Sequence, residues 1–261
     1  MMKLSQKDYW LTDKPIAHRG LHSGNDIVPE NSLAAFRAAM AHGFPIELDV
    51  QLSADGEIFV FHDEHLGRMC AVDKRIKEAY AEELKTYRLL GSSEIIPTFG
   101  QVLNLVDGSV PLLIEIKNFG KVGLLESSLY NALKQYRGAY AVQSFNPISL
   151  RWFYKNASSV LRGQLSGNFK GEKINPVLAF LLRNLYLNIL SRPDFIAYDQ
   201  QALPSKLITR FRLKGYPILA WTIRSENEYQ KIESFSDNII FENLSTLQHA
   251  KNHQLAYHPD K

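Results

Sequence analysis

Two stretches of the chain place charged side chains within apolar, strand-like sequence. In Glu47-Leu48-Asp49-Val50 the side chains alternate between two faces, so Glu47 and Asp49 share a face and lie about 7 Å apart. Glu115 occupies a similar run, two residues before Lys117. Such carboxylates repel one another unless a proton or a cation lies between them, and oxygen donors suit a hard ion. We therefore predict a site for one divalent metal ion, Mg²⁺ or Ca²⁺, at Glu47, Asp49 and Glu115. Structural salt bridges are the alternative.

Two histidines are expected to converge on these carboxylates. His18 ends the first predicted strand, and His62 ends the run Phe59-Val60-Phe61-His62. Folding the chain back about Asp55-Gly56 places His62 opposite Glu47 and Asp49. Because imidazole titrates near neutral pH, it can give or take a proton during a reaction. We predict that His18 and His62 form a general acid/base pair, and which of them is the acid stays open. The alternative is that both are hydrogen-bonded polar residues at strand ends.

Two basic residues, Arg19 and Lys117, are expected to point toward the same carboxylates and histidines. Cations beside a metal ion indicate an anionic small-molecule substrate, most simply a phosphate or a phosphodiester. Arg19 could instead hold a loop by pairing with Glu30. The two uses of Arg19 are compatible.

Composition limits the class of protein. The 261 residues are 45% hydrophobic and 22% charged, which excludes a disordered, collagen-like or coiled-coil chain. The net charge of +3 is too small to indicate a nucleic-acid partner. The single cysteine, Cys70, excludes a disulfide scaffold. Residues 1–14 lack the apolar core of a signal peptide, and residues 176–190 are too few to span a bilayer. We therefore expect a cytoplasmic protein that is not transmembrane.

The elements that must position these residues alternate along the chain. Helical patterns separate most of nine strand candidates: Pro15–His18, Pro45–Val50, Ile58–Phe61, Pro111–Ile116, Ala139–Val142, Ser159–Leu165, Asp194–Tyr198, Pro217–Trp221 and Asn238–Phe241. This alternation predicts one α/β domain over residues 1–261, a (β/α)₈ TIM barrel. The competing open sheet would carry a Gly-rich phosphate loop after its first strand, and His18-Arg19-Gly20 does not fit that pattern.

One pair of strand candidates departs from this alternation. Residues 51–57, between the second and third candidates, are too few for a crossover helix, and Asp55-Gly56 is a strong turn signal. The sequence therefore predicts an antiparallel hairpin here and eight barrel strands from the other candidates.

In chain order, these motifs resemble the glycerophosphodiester phosphodiesterase family. The resemblance covers about Ile16 to Glu242 and rests on the following segments: His18-Arg19-Gly20, Pro29-Glu30-Asn31-Ser32, Glu47-Leu48-Asp49-Val50, Asp55-Gly56, His62-Asp63, Ile96-Pro97-Thr98, Glu115-Ile116-Lys117, Gln143-Ser144-Phe145-Asn146 and Trp221-Thr222.

The resemblance implies a TIM barrel with a small insertion at about residues 64–109. It implies hydrolysis of glycerophosphodiesters to an alcohol and glycerol 3-phosphate, with the glycerol 2-hydroxyl or water as the nucleophile. It also implies the roles of the matching residues, which are metal ligands (Glu47, Asp49, Glu115), an acid/base pair (His18, His62), substrate-binding groups (Arg19, Lys117, Trp221) and a supporting acid near the metal (Glu30).

Two positions depart from the family pattern. Many relatives carry Asn two residues after the Trp-Thr pair, where this chain has Arg224. The last strand often ends in Thr-Asp, and here it ends in Phe241-Glu242. Both positions belong to the predicted barrel mouth, so they leave the choice of substrate more open than the type of reaction.

The apolar segment 176–190 raises an alternative substrate class. A core-facing helical stripe is predicted for Leu178, Leu181, Leu182, Leu185 and Ile189. The remaining apolar residues predict a helix buried on two sides, for example by a homodimer partner. The alternative is a lip that receives an acyl chain or makes peripheral membrane contact, as in a lysophospholipase D-like, lipid-directed phosphodiesterase. A catalytically silent phosphodiester binder is a third hypothesis, against which the intact site residues argue.

Overall fold

The computed structural model describes residues 8–23, 27–169, 171 and 174–243, and the strands of that part form one closed sheet. Its nine strands are β1 (Ile16–Ala17), β2 (Ile46–Leu52), β3 (Ile58–Val60), β4 (Leu112–Ile116), β5 (Tyr140–Ser144), β6 (Leu161–Ser166), β7 (Phe195–Asp199), β8 (Ile218–Ile223) and β9 (Asn238–Phe241). Neighbouring strands pair in parallel, except that β2 and β3 are antiparallel. Because β1 pairs with both β2 and β9, the barrel is closed. The predicted (β/α)₈ barrel is confirmed, and residues 1–7, on which the location prediction partly rests, lie outside the described residues.

Helices surround the barrel and connect its strands. The α-helices in the described ranges are α1 (Trp10–Asp13), α2 (Leu33–Ala41), α3 (Gly67–Cys70), α4 (Ala81–Leu84), α5 (Phe99–Val106), α6 (Leu124–Leu133), α7 (Pro147–Asn156), α8 (Pro176–Arg183), α9 (Asn188–Ser191), α10 (Lys206–Leu213) and α11 (Glu226–Ile232). Side chains of Ser32, Thr98 and Asn146 accept backbone hydrogen bonds at the starts of α2, α5 and α7. These caps satisfy donors that a helix leaves unpaired.

Alternation of side chains along each strand separates the barrel interior from the helix layer. In β4, Leu113 belongs to the interior apolar cluster, whereas Ile114 and Ile116 belong to the cluster that includes the helices. Glu115 therefore faces inward like Leu113, two residues closer to the carboxyl end of the strand. The interior apolar side chains form a floor beneath the polar strand ends, as the packed layers of such barrels do.

The predicted hairpin is present and brings its two ends together. Val50 pairs with Val60, and the backbone N–H of Phe61 donates to the carbonyl of Asp49 at 2.9 Å. Gly56 has a φ of 86°, a left-handed conformation that favours glycine in this tight turn. This register brings His62 back along β2, past Val50, to the level of Asp49.

The segment between β3 and β4 has two parts. The first contains α3, a 3₁₀ turn at Ile76–Glu78 and α4, and it has its own apolar cluster with buried Leu66, Met69 and Leu84. The second part is α5, whose buried side chains belong to the main core instead. The inserted part of the predicted 64–109 stretch therefore ends before α5, which is a helix of the barrel layer.

The prediction of one core-facing stripe over residues 176–190 is wrong at both ends. Leu182 and Leu185 are buried, but Leu178 is 41% and Ile189 is 77% exposed. A break in the helix accounts for Ile189, because α8 ends at Arg183 and Leu185 has a left-handed φ of 57°. The phase of the helix is thereby lost before α9 begins. Leu178 precedes this break and lies on the exposed N-terminal part of α8. None of the helices in the described ranges has the length and apolar character that crossing a bilayer requires.

Candidate active site

The predicted site residues gather at the carboxyl ends of the barrel strands. A cleft of about 900 Å³ opens there, and His62, Glu115, Lys117 and Trp221 line it. His18, Glu47 and Asp49 lie deeper, and the last two are fully buried. This end of a barrel is where strand ends and loops from several βα units meet, so side chains distant in sequence can act together.

The three predicted metal-binding carboxylates form one buried cluster. Asp49 on β2 is the register partner of Glu115 on β4, and Glu47 lies on the same face two residues earlier. One ligand oxygen from each residue lies within 4.8 Å of the other two. Burial and the neighbouring charges of Asp49 and Glu115 raise the pKa of Glu47 well above its ordinary value. Such a cluster is stable as carboxylates only if positive charge is near.

Two cations compensate part of this charge. The Nζ of Lys117 lies 2.6 Å from Oε1 of Glu115 and 3.4 Å from Oδ1 of Asp49, and the Nε of Arg19 lies 3.4 Å from Oδ2 of Asp49. Burial would raise the pKa of Asp49, but Lys117, His62 and Arg19 together lower it. The structural salt bridges that the alternative interpretation predicted for these carboxylates are therefore present.

The cluster also fits a metal ion. Oδ1 of Asp49 is buried and accepts no hydrogen bond from the residues that the structure describes, although it faces Lys117. The three carboxylates supply only oxygen donors at short mutual distances, which is the donor set that Mg²⁺ and Ca²⁺ prefer. A divalent cation would use the remaining ligand capacity of these buried oxygens. Its charge would also favour the ionised form of Glu47, whose pKa is otherwise raised.

His18 is held by Glu242, a residue that the sequence analysis placed at the barrel mouth without giving it a role. Its Nδ1 donates to Oε1 of Glu242 at 2.7 Å, and its Nε2 lies 3.9 Å from Oε2 of Glu47. Arg224 holds the other oxygen of Glu242, with its Nε at 2.7 Å. Burial lowers the pKa of His18 to about 4, and the charge of Arg19 adds to this effect. The two positions that depart from the family pattern thus form one ion pair against His18.

His62 is held in the same way by its neighbour in sequence. Its Nδ1 donates to Oδ1 of Asp63 at 2.7 Å, and Arg68 donates to the other oxygen of Asp63 at 2.6 Å. Arg68 and Arg19 both donate to Glu30 at 2.7 Å. Glu30 therefore belongs to an ion-pair network beside the site and is not a member of the carboxylate cluster. The predicted pairing of Arg19 with Glu30 is confirmed.

Two amide side chains that sequence reasoning missed orient the carboxylates. Asn31 donates to Oδ2 of Asp49 at 2.8 Å, and Gln143 donates to Oε1 of Glu47 at 3.4 Å. Both lie in the motifs on which the family resemblance rests. Residues that hold metal-binding carboxylates in this way fix their orientation and tune them. Gln143 had a usable signal, since it is a polar residue alternating onto the inner face of an apolar strand.

A barrel whose strand ends bring acidic, imidazole and basic groups to one cleft belongs to the class of barrels that can catalyse acid/base chemistry on an anionic substrate. Comparison with known proteins agrees with this class. A profile described as the glycerophosphoryl diester phosphodiesterase family matches residues 18–246, and the chain belongs to that family. It is accordingly an enzyme of the glycerophosphodiester phosphodiesterase class.

Individual relatives cover nearly the whole chain. A glycerophosphodiester phosphodiesterase of Caldanaerobacter subterraneus is 32% identical over 248 residues, covering 89% of this chain and 95% of the relative. An Oleispira antarctica phosphodiesterase, solved with its product sn-glycerol-3-phosphate, superposes with a TM-score of 0.80 at 25% identity, covering 94% and 98% of the two chains. The Thermotoga maritima glycerophosphodiester phosphodiesterase gives a TM-score of 0.71 at 26% identity, covering 92% and 98%.

Proposed function

We propose that the chain hydrolyses glycerophosphodiesters to an alcohol and glycerol 3-phosphate, with a divalent metal ion and with His18 and His62 as the acid/base pair. The observation that carries this proposal is the convergence of both histidines on one buried carboxylate cluster at the base of the cleft. The product bound by the Oleispira antarctica relative is consistent with it.

Glu47, Asp49 and Glu115 would hold one Mg²⁺ or Ca²⁺ ion. When bound, the ion supplies Lewis-acid polarisation of a phosphoryl oxygen. Lys117 lines the cleft, so its ammonium group can bind a phosphate oxygen and stabilise the charge that develops on it. Arg19 lies deeper and holds Asp49 and Glu30, so we assign it to positioning those carboxylates as well as to charge compensation.

The hydrogen bonds of the histidines suggest how their roles divide. With Nδ1 of His18 donating to Glu242, its Nε2 carries a lone pair toward the carboxylate cluster and can accept the proton of the attacking hydroxyl. His62 lines the cleft and can donate a proton to the departing alcohol. A new P–O bond forms as the P–O bond to that alcohol breaks. If the glycerol 2-hydroxyl attacks first, water then opens the cyclic phosphate and restores both histidines.

A second candidate is a lipid-directed reaction of the lysophospholipase D type, and one observation favours it. Val177, Phe180 and Ile189 are exposed by 67%, 49% and 77% on a segment that follows cleft-lining Ile174. Among residues 174–192 the only charged residues are Arg183 and Arg192. An acyl chain leaving the cleft could therefore pack on these exposed side chains, and they could contact a membrane surface.

Release of glycerol 3-phosphate from glycerophosphocholine tests the first candidate. We expect turnover that EDTA abolishes and that Mg²⁺ or Ca²⁺ restores, and we expect loss of turnover in His18→Ala but not in the control His42→Ala, whose side chain lies on the surface of the helix layer. Metal-independent turnover, or full activity of His18→Ala, would refute the mechanism.

Parallel assays on lysophosphatidylcholine, with a Val177→Ser/Phe180→Ser variant, decide the lipid candidate. Activity on the short soluble diester alone would dispose of it.

The biological setting follows from the products. Glycerol 3-phosphate and a free alcohol enter glycerol and lipid metabolism, and we propose that the enzyme acts there in the cytoplasm on small molecules.

A further inference from the structure

The outer part of the cleft carries three aromatic rings, of which only that of Trp221 was expected to bind substrate. Phe145, Phe169 and Trp221 all line the cleft, and we call them the aromatic wall. The ring centres of Phe145 and Trp221 are 5.5 Å apart with the rings nearly perpendicular, and those of Phe145 and Phe169 are 6.0 Å apart. The wall is therefore one contiguous aromatic surface.

A carboxylate stands beside this wall. Asp199, the last residue of β7, is the register partner of Trp221 on β8, and it also lines the cleft. On the other side, the Nζ of Lys117 lies 6.0 Å from the centre of the Phe145 ring. A phosphate bound at Lys117 would thus have the aromatic wall and Asp199 next to it.

Asp199 differs from the other carboxylates of the cleft. Asp63 is paired with Arg68, and Glu115 is paired with Lys117. Within the described residues, no lysine or arginine side chain lies within 4 Å of Asp199. It accepts from the backbone N–H of Gln201 at 2.9 Å, which caps a short 3₁₀ turn. The backbone N–H of Asn168 also donates to Asp199, and the charge of Arg224 acts on it from a longer distance. These interactions hold the carboxylate in place, but none of them is an ion pair that neutralises it at the cleft.

The backbone around the wall is specialised as well. Phe169 has a φ of 54°, which a bulky residue seldom adopts and which persists where surrounding structure requires it. Two residues earlier, a Cβ on Gly167 would lie 2.7 Å from the Cβ of Asp199, so only glycine allows this loop to pack against that carboxylate. Both features hold Phe169 and Asp199 at the same cleft.

We propose that the aromatic wall and Asp199 form a subsite for a trimethylammonium group, which makes choline the preferred leaving alcohol. Aromatic side chains attract quaternary ammonium ions through the ring quadrupole, and a carboxylate adds a full opposite charge. A neutral alcohol gains neither interaction, and an anionic one meets the charge of Asp199. Arg224 offers little compensation to an anion, because Glu242 already holds it. This inference rests on the proposed function and specifies its substrate.

The test compares kcat/KM for glycerophosphocholine with kcat/KM for glycerophosphoglycerol, whose alcohol is neutral. We expect the wild-type enzyme to prefer the choline diester by about tenfold. Asp199→Asn keeps an oxygen that can accept from Gln201 and should remove most of this preference. Phe169→Leu should reduce it, and Asp73→Asn, an exposed aspartate of the insertion, should leave it intact. No preference in the wild type, or a preference that survives Asp199→Asn, would overturn the proposal.

If neither diester is hydrolysed, the proposed function fails and the subsite is judged by binding. Calorimetric titration with phosphocholine should then show binding to the wild type that Asp199→Asn weakens. Absent binding, or equal binding to both proteins, overturns the subsite as well.

Discussion

The inner and outer parts of the same cleft are built on different principles. In the inner part, Glu47, Asp49 and Glu115 lie on two adjacent strands and are held by cations and amides. In the outer part, the aromatic wall and Asp199 lie largely at strand ends and in loops, and the carboxylate there forms no ion pair within 4 Å among the described residues.

This difference suggests a division of labour. Groups that carry out a reaction must be held closely, and strands of a barrel are more rigid supports than loops. Groups that select a substrate can lie on loops, which vary without disturbing the chemistry. Substitutions in the inner part should therefore affect all diesters alike, whereas substitutions in the outer part should change the preference among them.

Asp49→Asn should have the largest effect. The change removes one negative charge from the cluster and with it much of the affinity for a divalent ion, so hydrolysis of every glycerophosphodiester should fall about a thousandfold or more. Initial rates on several diesters at saturating metal measure this. A loss confined to one diester would contradict the division.

His62→Ala should be the next largest change. Loss of a general acid typically lowers the rate by about a hundredfold to ten-thousandfold, and it should lower kcat for choline and glycerol diesters by a similar factor. Steady-state kinetics on both substrates check this. A change in KM alone would assign His62 to substrate binding instead.

Glu242→Gln should have a smaller effect, because Glu242 acts through His18. Loss of the carboxylate leaves His18 without its charged partner, and we expect kcat to fall by about ten- to a hundredfold with little change in KM. Glu242→Asp retains the charge and should recover part of the activity. Equal activity of the Gln and Asp variants would show that the charge plays no part in positioning His18.

The smallest effect concerns stability and pH at Asp63, which lines the cleft and holds His62. Burial opposes the charged form, but hydrogen bonds from His62 and Arg68 hold the pKa of Asp63 below its ordinary value. A lowered pKa stabilises the fold above the unfolded-state pKa, and this stability is lost as pH falls. Asp63→Asn should therefore lower Tm at neutral pH, and the difference from wild type should shrink below about pH 4. A Tm difference independent of pH would contradict this.

The sequence predicted the framework of the site well, because local patterns determine it. Strand alternation placed Glu47, Asp49 and Glu115 on inner faces, and the Asp55-Gly56 turn brought His62 back along β2 to the level of Asp49. The role of Glu242 was missed because the partner of this residue, His18, lies 224 residues away, and only closure of the barrel between β1 and β9 brings the two together.

The outer part of the cleft was harder to foresee. Trp221 was expected to bind substrate, but nothing local indicates that Phe145, Phe169 and Asp199 share a surface with it. The prediction of one core-facing stripe over residues 176–190 failed for a related reason. Its periodic pattern continues past Leu185, whose left-handed backbone ends the helical phase, and a pattern of residue types carries no signal for that break.

Metal binding tests the central claim most directly. The metal-free protein should bind one Mg²⁺ or Ca²⁺ ion per chain in isothermal titration calorimetry, and Asp49→Asn should lose this binding while Asp73→Asn retains it. Absence of binding by the wild-type protein, or binding that Asp49→Asn leaves unchanged, would contradict a metal centre at Glu47, Asp49 and Glu115.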